Sequence, residues 1–178
     1  MLVVLPGLTG AGYIRPGEVV EDTMSDAYQD VCEDVRNKAM TYFSQGYNCA
    51  QAVAMSTVEM LNKGQTDGIR QLAAGFGHGM GAGCACGALT GGVMAISLLL
   101  AGPDTKGFDK EIAEAAAKLH QQFVNEFGQA CCRGLRKKFS PFKNARCKEI
   151  TGTTAAMTME LVLAGKKKKS TSVCVQPL

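Results

Sequence analysis

Two thiols one residue apart close a glycine run: Cys84 and Cys86 lie in GHGMGAGCACGALTGG, residues 77–92, directly ahead of an apolar segment. Glycine lets a backbone approach a neighbour closely, and it loses more freedom on folding than any other residue, so a stretch this rich in it needs a compensating role. The role read here is to hold Cys86, with Cys84 as a further candidate, at a redox centre. Cysteines recur at the same kind of place elsewhere: Cys49, the pair Cys131 and Cys132, and Cys147 each fall near the expected amino end of a helix. Unpaired amides and the helix dipole favour negative charge there, which predicts lowered thiol pKa values and thiolates suited to act as nucleophiles or metal ligands. Cys32, in mid-helix with acidic residues nearby, reads as a packed residue and is set aside.

Residues one or two apart do not share a face of a regular helix, so both members of a cysteine pair point inward only where the backbone is irregular. The glycines at 77, 79, 81 and 83 permit this for Cys84 and Cys86. For Cys131 and Cys132 the reading is one functional and one packed residue. No short motif explains the set. CxxC, CxxCH and the compact ferredoxin run are all missing, and GHGMGA, although it loosely fits a dinucleotide fingerprint, follows no strand.

Helices must position these groups. Residues 1–23 hold Pro6, Gly7, Gly10, Gly12, Pro16 and Gly17 and read as an irregular arm. Ser25 is the expected N-cap of a first helix in which Val31, Val35, Ala39 and Tyr42 or Phe43 recur at helical spacing up to Gly46. Asn48 is expected to cap a second helix ending near Gly64, with Cys49, Ala52, Val53, Ser56 and Met60 on one face. A short third helix spans residues 68–74 and a fourth residues 87–101. The fifth carries Ile112, Ala116, Leu119, Phe123 and Phe127 until Gly128 closes it. A brief helix over 130–138 ends before Pro141, and the last, over 144–164, places Cys147, Ile150, Thr154, Met157 and Leu161 along one inward stripe. No segment alternates with period two. The expected fold is all-α: a single-domain helical bundle over residues 24–165, with a Gly/Cys-rich loop forming a cysteine-lined pocket.

A chain of 178 residues can bury a sizeable core without disulfide staples, so its eight cysteines exceed what folding requires. MLVVLPGLTG carries no basic residue ahead of its short apolar run and does not read as a secretory signal. A cytoplasmic protein is expected, and in that reducing compartment cysteines point to metal or redox chemistry rather than to structural disulfides. Of 19 basic residues four form the run Lys166 to Lys169, and the remaining 15 face 16 acidic ones. The body therefore gives no reason to expect nucleic-acid binding, and residues 166–178 read as a basic, disordered tail. Cys174 stands fifth from the end, outside a prenylation box. Residues 75–103 contain no Asp, Glu, Lys or Arg, a length that could span a bilayer. Only MAISLLLAG within it is strongly apolar, so a buried central helix is expected and membrane insertion is not.

The segments YNCAQAV (47–53), CGALTGG (86–92) and FVNEFGQACCRGL (123–135), followed by Cys147, together resemble the redox-active family named for its C, GCAxxG, C, C pattern, a helical domain also similar to the amino-terminal part of split-Soret cytochromes. The resemblance covers about residues 28–163. It implies that the four family cysteines are Cys49, Cys86, Cys132 and Cys147, and it implies an iron–sulfur cluster, [2Fe–2S] or of higher nuclearity, in an electron-transfer role with a redox partner protein; a homodimer is left open. Here Ala85 precedes Cys86 and Gly87 follows it, where the named pattern has glycine and alanine, and Cys84 and Cys131 are additions that could supply an extra or alternative ligand. Two other readings of the same thiols stay open: a metal-free thiol–disulfide oxidoreductase and a structural zinc site. Tyr47 and His78 lie beside the cysteine segments and could orient a ligand or pass a proton, although a loop role suits His78 better. His120 is read as structural, and Met55, Met60, Met80, Met94 and Met157 as core filling.

Overall fold

In the computed structural model residues 18–61, 63–137 and 143–173 are described. The stretch 1–17 of the expected arm, Pro141 and Cys174 fall outside them. Seven α-helices follow one another: α1 (Glu18–Ser44), α2 (Cys49–Leu61), α3 (Thr66–Ala73), α4 (Gly87–Leu100), α5 (Lys110–Phe127), α6 (Cys132–Lys137) and α7 (Lys143–Val173). Among the described residues the only β-type pairing is an isolated antiparallel bridge between Ala85 and Cys131.

Gly128 stops its helix as expected, and the start of the same helix carries a side-chain cap. Gly128 adopts a left-handed φ of 84° at the end of α5 and donates to the Val124 carbonyl, and Asp109 caps its start by accepting from the Ile112 amide at 3.0 Å. Two ends differ from expectation. α1 begins at Glu18, so residues 18–23 of the expected arm are helical and Ser25 lies inside the helix; no proline or glycine falls between 18 and 25 to break it. α7 runs on to Val173 through the lysine run. Lysine is a good helix former and is favoured in the carboxyl half of a helix, and Gly165 does not interrupt because it is buried against the Leu100 side chain.

The long helices α1 and α7 pack along each other, and α2 and α4 complete the bundle, with α5 against α4 and α7. Their shared core contains Val35, Val53, Ile96, Leu119, Phe123 and Met159, all fully buried. α4 is the buried central helix expected from its lack of charge, and among the described residues no helix is long and apolar enough to cross a membrane. Threonines enter the core because their hydroxyls are satisfied one turn back: Thr151 donates to the Cys147 carbonyl at 2.7 Å, Thr154 to Ile150 at 2.6 Å and Thr158 to Thr154 at 2.7 Å. Not every methionine fills the core. Met55 and Met159 are buried, whereas Met60 and Met80 are exposed at 36% and 47%, since each lies where its helix or turn faces solvent.

Candidate functional site

Cys49 is set by a reciprocal cap. Asn48 Oδ1 accepts from the Gln51 amide at 3.0 Å while the Asn48 amide donates to Gln51 Oε1 at 3.2 Å, a capping box that fixes the first turn of α2 and with it the direction of the thiol. Asn48 Nδ2 also donates to the Ala74 carbonyl at 3.0 Å, tying this turn to the start of the glycine segment.

That segment is bent into a left-handed turn. His78, Gly79, Met80 and Gly81 have φ of 54°, 65°, 60° and 69° in succession. Left-handed conformation costs a non-glycine residue roughly 1–2 kcal/mol and normally occurs singly, so the turn persists only because its surroundings impose it. The turn brings the His78 amide near the Cys49 sulfur, where it favours the thiolate. Gly79 cannot carry a side chain: a Cβ there would lie 2.7 Å from the Cys84 nitrogen and 2.8 Å from Cys132 Cβ.

Beyond the turn the chain pairs briefly with the segment ahead of α6. The Cys86 amide donates to the Ala130 carbonyl at 2.8 Å and the Cys132 amide to the Cys84 carbonyl at 2.6 Å. The two cysteine pairs are thereby laid side by side. In each the second member is turned in and the first out: Cys86 and Cys132 are buried, Cys84 and Cys131 exposed. Cys131 donates its S–H to the Gly83 carbonyl at 3.4 Å. The irregular backbone that could have turned both Cys84 and Cys86 inward turns only Cys86. Cys32 is half-buried against the core, consistent with a packing role.

The thiols of Cys49, Cys86, Cys132 and Cys147 act on one another electrostatically: Cys49 feels Cys132 and Cys147, Cys86 feels Cys49 and Cys132, and Cys132 feels Cys147. The expectation of lowered pKa values at helix starts is overturned. Burial raises all four thiols, and neighbouring sulfurs raise Cys49, Cys86 and Cys132 further; Cys86 is pushed up to about 12. The favourable groups are present but outweighed: amides of His78 and Ala50 at Cys49, amides of Ala88 and Leu89 at Cys86, the Arg136 guanidinium near Cys132 and Cys147, and Arg146 near Cys147. Helix position sets the sign of the local field, and desolvation decides the net shift.

Two adjoining cavities open here. One of about 310 Å³ is lined by Cys49, Cys132 and Cys147 together with Tyr47, His78 and Arg136, among others. The other, of about 390 Å³, shares His78, Cys132, Arg136 and Cys147 and adds Arg133 and Arg146. His78 thus lies at both, and Tyr47 at the first, edge-on to Tyr42 with ring centroids 5.5 Å apart; His120 is exposed on α5 and lines neither. As the side chains stand, no group of three or more His, Cys, Asp or Glu among the described residues is arranged to hold a metal ion. The arginines went unnoticed in the sequence. Their signal was present as Arg133 and Arg136, three apart and so on one face of a helix that begins at a cysteine, and as Arg146 directly before Cys147.

No curated protein and no solved structure matches the chain. A family model does, over residues 47–161, and that span includes Cys49, Cys86, Cys132 and Cys147 as well as the left-handed turn and both cavities' cysteine walls. With well over half of its length matched, the chain belongs to the family described as putative redox-active proteins of the C_GCAxxG_C_C pattern.

Proposed function

We propose that this redox-family chain holds an iron–sulfur cluster through Cys49, Cys86, Cys132 and Cys147 and serves in electron transfer with a partner protein in a reducing compartment. What supports the reading is that these four cysteines, from α2, the start of α4, α6 and α7, lie near enough for their sulfurs to raise one another's pKa, although as the side chains stand no three of them are arranged to hold a metal ion. The donor chemistry around them fits an anionic, sulfur-ligated group. Nearby backbone amides lower the Cys49 and Cys86 thiol pKa values against the effect of burial, and Arg136 and Arg146 offset negative charge near Cys132 and Cys147.

When bound, such a cluster supplies a one-electron couple whose potential is set by net charge, hydrogen bonds to sulfur and solvent access. The chain's own residues do the rest. The His78 and Ala50 amides would favour a thiolate at Cys49, those of Ala88 and Leu89 one at Cys86, and Arg136 would balance charge at Cys132 and Cys147. Cys84 and Cys131 face outward and are assigned no ligand role.

The raised thiol pKa values favour this reading over metal-free thiol–disulfide exchange. A thiol that stays protonated at neutral pH is a poor nucleophile, whereas metal binding displaces the proton and is linked to it. Protein purified without oxygen is expected to be brown and to contain iron with acid-labile sulfide. Colourless protein carrying zinc, or metal-free protein with a reversible two-thiol titration, contradicts the proposal.

A further inference from the structure

We infer that the larger cavity beside the cysteines is a binding site for a small organic oxyanion, a carboxylate or phosphate, gripped by Arg133, Arg136 and Arg146. Three guanidinium groups and His78 line it, and among the described residues no Asp or Glu does. Several guanidinium groups at one wall attract an anion, and the planar fork of arginine matches carboxylate and phosphate oxygens two at a time. Arg133 and Arg136 take part in none of the ion pairs among the described residues. Arg133 is instead braced by donating through Nη2 to the Ala82 carbonyl at 2.8 Å, which holds its head group at the cavity edge.

The size argues for more than a bare inorganic ion. About 390 Å³ lies within the range of small-molecule sites, roughly 300–1,000 Å³. Leu135, Ala82 and the glycines at 81 and 83 give part of the wall an apolar or featureless surface against which a carbon skeleton can lie. The Cys132 and Cys147 side of the wall then places the anion directly beside the thiol group.

The inference stands on the arginines and the cavity, and holds whether or not the cysteines carry iron. Its rival is that Arg136 and Arg146 serve only to balance charge on the sulfurs. Calorimetric titration of the full chain at low ionic strength with inorganic phosphate, and separately with succinate, tells the two oxyanion sources apart and tests both ideas. At least one probe is expected to bind saturably at one site per chain. Arg136→Gln and Arg133→Gln are each expected to weaken that binding about tenfold, the loss of one charged hydrogen-bonded contact. Arg136→Lys should weaken it less, and Arg70→Gln, on α3 away from the cavity, should not change it. Should Arg136→Gln fail to fold, protection of the wild-type chain and of Arg133→Gln against thermal unfolding by the same probe gives the same comparison. No saturable binding of either probe, equal weakening by Arg70→Gln, or a fall in iron content in Arg136→Gln with anion binding unchanged would overturn the inference. Iron-free protein that still binds the anion supports it, even though the absence of iron contradicts the cluster reading.

Discussion

The Cys49 sulfur lies against the backbone of Gly87: a Cβ built on that glycine would come within 2.5 Å of Sγ and 2.7 Å of the Phe76 carbonyl. α2 and α4 meet at their amino ends at this point, and the first thiol of one is seated on the first turn of the other. The absence of a side chain at 87 is what permits it. Gly87→Ala is expected to lower stability by about 1–3 kcal/mol, the cost of overpacking a close contact with little room to yield. Thermal or denaturant unfolding of the metal-free chain measures it, and an unchanged midpoint would contradict the packing described.

Met80 holds a left-handed conformation, φ 60° and ψ 33°, with its side chain 47% exposed. Little packing is lost by removing it, and the backbone strain is relieved. Met80→Gly is therefore expected to raise stability by about 0.5–1 kcal/mol, read as a higher denaturant midpoint. A lower midpoint would show that the side chain supports the turn.

The cap at Asn48 serves the helix and the site together. Asn48→Ala removes the acceptor for the Gln51 amide and the donor to Ala74, and should cost about 0.5–2 kcal/mol. Because the same side chain ties down the glycine segment, hydrogen exchange over residues 74–79 is expected to speed up along with that of the first turn of α2. Faster exchange in α2 alone would mean that the tie to Ala74 carries no weight.

Some of this was legible in the chain and some was not. Local signals worked: Asn48 as a cap, Gly128 as a stop and the stripe from Ile112 to Phe127 depend on residues a turn apart, and each lies where its spacing places it. The ends of α1 and α7 lie beyond where breakers and a charge run place them, because helix propensity carries the backbone through both. The thiol pKa values were misjudged in direction, since a helix start can be read from sequence but burial by α6, α7 and the glycine turn cannot. Arg133 and Arg136 share a helix face that is legible in sequence, but that Arg146 lines the same cavity depends on where the fold places the start of α7.

Alkaline pH should destabilise the metal-free chain. A thiol whose folded pKa lies above its unfolded value of 9.0 binds its proton more tightly in the native state, so the associated stability is fully present below about pH 9 and is lost as pH rises towards the folded value. For Cys86 that window runs up to about pH 12; Cys49, Cys132 and Cys147 act in the same direction, as does Tyr42, whose phenol burial and Glu59 also push up to about 12. The denaturant midpoint is expected to fall steadily above pH 9, and alkylation at pH 8 to reach exposed Cys84 and Cys131 before buried Cys86. A midpoint that rises over this range would contradict the burial described.

Anaerobic iron and acid-labile sulfide analysis of single serine variants bears most directly on the central claim. The account predicts that Cys49→Ser, Cys86→Ser, Cys132→Ser and Cys147→Ser each lose the cluster or alter its visible spectrum, while Cys32→Ser, Cys84→Ser and Cys131→Ser match the unmodified chain. Unchanged iron, sulfide and spectra in all of the first four would contradict it.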